Sequence, residues 1–237
     1  MASIKHYQVQ QTSIELALAE TVFEPSQHGR LFAEHLPINN GERVIDIGCG
    51  AGILAIYAAL QGAQVWATDI SADAVALTEA NARRNGVSVM GHAGGFFAGL
   101  SEKLDVIVAN LPQEIVASQH ASQLGAAAMA IDGGQRGNDL VLELLRQAPD
   151  YMHPESRLYL PLHTLSDYQH TLTQALRRYH VSLVAMNDLP VKAFVTDNLT
   201  FYQELAQAGV MRIFERNDVW YSTVYVIELR LKKSENR

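Results

Sequence analysis

The sequence predicts an α/β protein: a doubly wound, seven-stranded sheet, mainly parallel with one antiparallel strand, and helices on both faces. Three observations predict it. An apolar strand, Arg43 to Ile47, enters a turn with glycine at alternate positions (Gly48, Gly50, Gly52) and leaves it in the apolar helix former Ile53 to Leu60. From Arg43 onward, strand and helix patterns alternate with no linker or internal repeat, as in a parallel sheet joined by crossover helices. The chain then closes on residues 220–231, long and rich in β-branched and aromatic residues, suited to an antiparallel strand beside 180–186.

The strands are predicted at 43–47, 64–68, 87–91, 104–109, 156–161, 180–186 and 221–231, and the helices at 53–61, 72–84, 137–148 and 165–178. Residues 73–84 contain neither Gly nor Pro and stop at Asn85-Gly86, a helix-ending pair. Residues 1–40 are predicted to form a helical lead-in, and 41–237 one domain with an insertion at 187–218. That insertion holds Phe194, Phe201, Tyr202 and Phe214 and a helical pattern near 198–209. A lid, a dimer surface and a helix packed on the sheet edge all fit it.

The 237 residues suffice for one large domain or two small ones. The formal net charge of -7 weighs against a long nucleic-acid substrate, which requires a basic face. The basic doublets Arg83-Arg84, Arg177-Arg178 and Lys232-Lys233 fall at predicted helix or strand ends, where solvated charges belong. No apolar run reaches the length of a membrane span, and residues 1–7 lack the basic and apolar regions of a signal peptide. Cys49 is the single cysteine, which points to a reducing cytoplasm. The nine histidines show no ligand-like spacing, so no metal is expected.

The glycine turn lets a ligand approach the backbone closely, and the helix after it presents N–H groups. Asp46 lies at the end of the preceding strand. A second carboxylate, Asp69, ends Gln64-Val65-Trp66-Ala67-Thr68-Asp69-Ile70, where it can accept from both hydroxyls of a ribose. The glycines run G-x-G-x-G, not the G-x-G-x-x-G of dinucleotide sites. This pattern resembles the first motif of class I S-adenosylmethionine (SAM) methyltransferases, a Rossmann-like fold. The fourth strand continues into Asn110-Leu111-Pro112-Gln113, which looks like the D-x-V-x-x-N-P-P-Y motif of enzymes that methylate planar nitrogen. Thr21-Val22-Phe23-Glu24-Pro25 resembles a V-F-x-P lead-in. Ile131-Asp132-Gly133-Gly134-Gln135-Arg136-Gly137-Asn138-Asp139-Leu140 resembles an L-D-G-G-x-x-G-x-D segment. From Thr21 to the 180–186 strand, the chain is thus similar to the release-factor glutamine methyltransferases and related small-domain enzymes.

The resemblance implies SAM as cofactor, bound by Phe23, Asp46, Gly48, Gly50, Gly52, Asp69, Ile70 and Asn110. Asp46 is expected at the amino-acid end of the cofactor and Asp69 at its ribose. It also implies a catalytic group of Asn110, Leu111 and Gln113. The Asn110 side chain and the Leu111 carbonyl would accept from the target N–H groups and aim the nitrogen lone pair at the methyl. Two departures bear on the substrate. Leu111 replaces the first proline of the motif, and Gln113 replaces the aromatic residue that would stack on a flat base. Gln113 is read either as a contact to a polar substrate or as a loop residue facing water. Gly94-Gly95-Phe96-Phe97 lacks the acidic residue that related enzymes use for the adenine amine, leaving that role to the backbone. His163 is read as a general base or as a loop histidine.

Three functions follow. The first is a methyltransferase acting on a nitrogen, or an oxygen, of a small molecule or protein side chain. The second is a synthase in which SAM's own amine attacks its γ-carbon, giving azetidine-2-carboxylate and methylthioadenosine. The third is a non-catalytic SAM-binding protein. The expected partners are a small-molecule substrate or a protein side chain, with no nucleic acid and no membrane. Monomer and homodimer both remain open.

Overall fold

The computed structural model describes residues 3–117 and 131–233. Its elements are β1 (Ser3–Val9), β2 (Thr12–Leu18), α1 (Gln27–Ala33), β3 (Arg43–Ile47), α2 (Ile53–Leu60), β4 (Gln64–Asp69), α3 (Ala72–Arg84), β5 (Met90–Ala93), β6 (Leu104–Ala109), α4 (Asp139–Gln147), β7 (Met152–His163), α5 (Tyr168–Arg178), β8 (Tyr179–Pro190), α6 (Ala193–Thr196), α7 (Leu199–Gln207), β9 (Phe214–Arg216) and β10 (Val219–Leu231). They divide into two compact units. The first is Met1–Asn110 with Ala148–Leu160 and Arg230–Arg237; the second is Leu111–Gln147 with Pro161–Leu229.

The first unit carries strands in the order β5-β4-β3-β6-β7, and all four ladders between them are parallel. Its central strands are apolar on both faces, because helices cover both: Val44, Ile45 and Ile47 of β3 and Val106, Ile107 and Val108 of β6 are buried. Ile47 pairs with Thr68 and with Ala109, which aligns the C-terminal ends of β3, β4 and β6. The glycine turn, Asp69 and Asn110 therefore emerge along one edge. The 13-residue helix α3 starts where Ser71 accepts from the Ala74 N–H and stops at Asn85, before Gly86 with φ 71°.

In the second unit, β10 and β8 are neighbours, and β9 pairs antiparallel with β10. Strands β3 to β8 and β10 are the seven predicted ones, although the strand expected at 87–91 forms at Met90–Ala93. The short β9 and the β1–β2 pair have no counterpart in the prediction. No described helix is long and apolar enough to cross a membrane.

The predicted helical lead-in at 1–40 is corrected. Its described part is an antiparallel β1–β2 hairpin followed by one short helix, α1. Tyr7, Val9, Ile14 and Leu16 are buried and alternate with residues that are not, a period of two that no helix can bury on one face. The chain reverses after Gln10, whose φ is 53°. The hairpin and α1 belong to the first unit, so the units do not divide at 40/41.

The insertion at 187–218 contains α6, α7 and β9. Phe194, Val195, Tyr202 and Met211 pack with Ile131 and Leu165 in one cluster of the second unit.

Candidate active site

The glycine turn is built by the backbone. Gly48, Gly50 and Gly52 have φ of 74°, 52° and 91°. The Gly48 and Cys49 N–H groups both donate to the Thr68 carbonyl, at 2.8 and 3.1 Å, which ties the turn to the end of β4. A Cβ on Gly52 would lie 2.9 Å from the Thr78 methyl, so glycine is what lets α2 and α3 approach here. The Thr78 hydroxyl donates to the Gly50 carbonyl at 3.0 Å.

Two carboxylates bracket this turn. Asp46 is 1% exposed, and its Oδ2 accepts from the Ala55 N–H at 3.0 Å, capping α2 from inside the sheet. Its Oδ1 is buried with no hydrogen-bond partner among the described groups. Burial pushes the carboxyl up to about 7; the Ala55 N–H opposes the rise and the Asp69 charge adds to it. Asp69 accepts from the Gly50 N–H at 3.1 Å with Oδ2 and from the Ser71 N–H at 2.9 Å with Oδ1. A carboxylate has about four acceptor sites, so these two bonds fix its plane and leave capacity for a ligand's hydroxyls. Ile70 beside it is 75% exposed, and Phe23 is 42% exposed. The Phe23 carbonyl lies 3.6 Å from the Cβ position of Gly50.

Asn110 follows β6 at the same edge. Its Nδ2 lies 3.0 Å from the Cβ position of Gly29, so a side chain in α1 at that point would displace it. At the end of β5, the Gly94 N–H donates to the Asp69 carbonyl and the Thr68 hydroxyl to the Phe96 carbonyl, each at 2.8 Å.

The second unit begins at Leu111. Here the Glu114 N–H donates to the Ile131 carbonyl at 2.9 Å, and the Gly133 N–H donates to the Glu114 carbonyl at 3.0 Å. A Cβ on Gly133 would strike the Gly137 carbonyl at 2.5 Å and the Gln113 Cα at 2.8 Å. The Gly-rich 131–140 segment is thus a close-fitting backing for residues 113–115. Glu114 is buried; Oε1 accepts from Lys192 Nζ at 2.5 Å, and Oε2 has no partner among the described groups. Burial pushes its carboxyl up, and Lys192 pulls it down. A ligand-capable atom of His163 lies within 4.8 Å of one from Glu114. The Tyr202 hydroxyl donates to the Ile115 carbonyl at 2.9 Å.

Residues 24–188 match the family model of the methyltransferase small domain. The chain belongs to that family. Release factor glutamine methyltransferase of Gloeobacter violaceus is 33% identical over 147 residues, covering 58% of this chain and 51% of that protein. Ribosomal RNA small subunit methyltransferase C of Alcanivorax borkumensis is 29% identical over 182 residues, covering 72% of this chain and 51% of that protein. The chain spans about half the length of these relatives. The T. thermophilus 16S rRNA N2 G1207 methyltransferase, solved with AdoMet and guanosine, shares the fold with a TM-score of 0.61 at 15% identity, over 97% of this chain and 50% of that one.

Family membership bears out the α/β class and the small-domain methyltransferase resemblance. The predicted Phe23, Asp46, Gly48, Gly50, Gly52, Asp69, Ile70 and Asn110 all lie in the first unit. Leu111 and Gln113 belong to the second unit, and both are buried. Gln113 does not face water: it is 3% exposed, and its Nε2 has no partner among the described groups. His163 is no loop histidine but the buried last residue of β7. The sequence reading missed Thr78, Asn81 and Glu114. The first two lie at helical spacing on α3, a signal the sequence holds; Glu114 is marked only by its distant partner Lys192.

Proposed function

We propose that this chain is a SAM-dependent methyltransferase that transfers a methyl group to a nitrogen of a protein side chain or small molecule. The observation that carries the reading is Asp69, oriented by the Gly50 and Ser71 N–H groups at the end of β4 in a chain of this family. The residues fit the cofactor. Asp46 Oδ1 is a buried acceptor suited to an ammonium, Asp69 keeps acceptor capacity for ribose hydroxyls, and exposed Ile70 offers an apolar face to a base.

SAM, when bound, supplies an electrophilic methyl on a sulfonium. Asn110 accepts from an N–H of the target and leaves the nitrogen lone pair free to attack. With SAM held by Asp46 and Asp69, the methyl would pass to the nitrogen as the methyl–sulfur bond breaks, the electron pair going to sulfur and the proton displaced from nitrogen to solvent. The Leu111 carbonyl is the second acceptor in this reading. Orientation supplies much of the rate in such a transfer, so no strong base is needed for a neutral nitrogen.

A protein or small-molecule acceptor is favoured over nucleic acid. Gln113, buried and not aromatic, offers no stacking face for a flat base, and the net charge of -7 opposes a phosphate backbone. The ribosomal RNA relative makes this the point to test. The cyclising alternative gains no support from the relatives named above, all of which are methyltransferases. The experiment is a calorimetric titration with SAM, followed by transfer of labelled methyl to release factor, ribosomal proteins and 16S rRNA in parallel. Absence of SAM binding sinks the cofactor assignment. Label in rRNA alone sinks the acceptor class, and methylthioadenosine from SAM alone revives the cyclisation.

A further inference from the structure

The face of α3 that supports the glycine turn also holds the N-terminal hairpin. Asn81, fully buried, accepts from the Ala17 N–H at 2.8 Å with Oδ1 and donates to the Ala17 carbonyl at 3.0 Å with Nδ2. The same Nδ2 donates to the Ala51 carbonyl, inside the turn, at 3.0 Å. Asn85 repeats the pairing one helical turn later. Its Oδ1 accepts from the Glu15 N–H at 2.9 Å, and its Nδ2 donates to the Glu15 carbonyl at 2.7 Å. The two repeats match in length: four helical residues rise about 6 Å, and two strand residues advance about 6.7 Å. Asn81 and Asn85 thus act as a surrogate strand on the outer edge of β2, whose other edge pairs with β1.

Asn81 hydrogen-bonds to both partners. Thr78, three residues before it, holds the Gly50 carbonyl, and Asn85, four residues after it, holds β2 without touching the turn. Five residues beyond the end of β2 the chain reaches Phe23, whose carbonyl packs toward Gly50.

We propose that Asn81 is a positioning residue that locks the β1–β2 hairpin to the cofactor turn, so that SAM in the turn also orders the hairpin. The inference rests on the SAM reading above. The carboxamide suits this role because one amide group supplies both an acceptor and two donors in fixed geometry. Neither Asp, which lacks the donors, nor Ala can span the two segments.

The first test needs no variant. Amide exchange of the wild-type chain is followed by NMR with and without saturating SAM. The expected result is about tenfold slower exchange at Ala17 and Glu15 as well as at Gly50. If SAM fails to bind at all, the cofactor reading falls and this inference with it. If SAM binds and slows Gly50 but leaves Ala17 unchanged, this inference alone is overturned.

The second test compares three variants. Asn81→Ala and Asn81→Asp lose the bond to Ala51, and each is expected to weaken SAM about tenfold, the scale of one or two lost hydrogen bonds. In both, SAM still slows exchange at Gly50 but no longer at Ala17. Asn85→Ala keeps the Ala51 bond and is expected to stay within about threefold of wild-type affinity. A residue of purely structural importance would lower the melting temperature of all three without separating them in this way. Folded Asn81→Ala with wild-type affinity and retained protection at Ala17 overturns the proposal.

Discussion

The two units use their polar side chains differently. In the first, carboxylates, a hydroxyl and an amide bind backbone: Asp46 caps α2, Asp69 fixes Gly50, and Thr78 and Asn81 hold the turn's carbonyls. In the second, side chains from the insertion reach residues far away in sequence. Lys192 pairs with Glu114 across 78 positions, and Tyr202 bonds Ile115 across 87. The first pattern fixes the glycine turn and the acceptors beside it. The second fixes residues 114 and 115, just after Asn110-Leu111-Pro112-Gln113, and leaves buried polar atoms of Gln113 and Glu114 without described partners.

The comparison breaks most sharply at Asn110. Asn110→Ala is expected to lower turnover about 10²-fold while SAM affinity stays nearly unchanged, because it removes positioning and not binding. Single-turnover kinetics beside calorimetry checks the split; loss of SAM affinity without loss of turnover would leave Asn110 a cofactor residue alone.

Asp69→Ala is expected to weaken SAM at least about tenfold, since two hydroxyls lose an oriented acceptor at roughly 1–3 kcal/mol. Calorimetry with unchanged affinity would remove Asp69 from the ribose site.

A related effect follows from Asp46. Its carboxyl is raised to about 7 in the folded chain, so it is largely protonated at pH 6 and largely ionised at pH 8. An ammonium prefers the ionised form, so SAM affinity should rise up to about tenfold across that interval. Stability moves in the opposite sense. The folded state binds the extra proton between the unfolded carboxyl's pKa near ~3.9 and about 7, so this contribution is full below that window and is lost as pH rises through it. Asp46→Asn should flatten both profiles, as paired titrations and melts at pH 6 and 8 would show.

The smallest effect belongs to the second unit. Tyr202→Phe removes the bond to Ile115 and should cost about 1 kcal/mol of stability without changing SAM affinity. A change in SAM affinity equal to that at Asp69 would erase the distinction between the units.

Much of the first unit was legible residue by residue. Strands β3 and β6 fall at the predicted positions, as does α3, because an apolar run, a glycine turn and a cap are local signals. The hairpin was not read, since its period-two pattern is short and its outer edge is completed by two asparagines some 64 and 70 positions away. Gln113 shows the same limit from the other side. As a polar residue after a motif it reads as a contact or a solvated loop, yet Gly133 and Gly137 close over its backbone and leave it buried.

The sequence by itself determined the parallel order of elements, the glycine turn with its two flanking carboxylates, and the asparagine at the end of β6. Each depends on residues within one strand–turn–helix unit, where chain connectivity fixes the geometry. Only the tertiary structure decided that Asn81 joins hairpin to turn, that Lys192 bonds a buried Glu114, and that Tyr202 anchors the insertion on Ile115. Those bonds link groups far apart along the chain, and their formation depends on packing that no local pattern encodes.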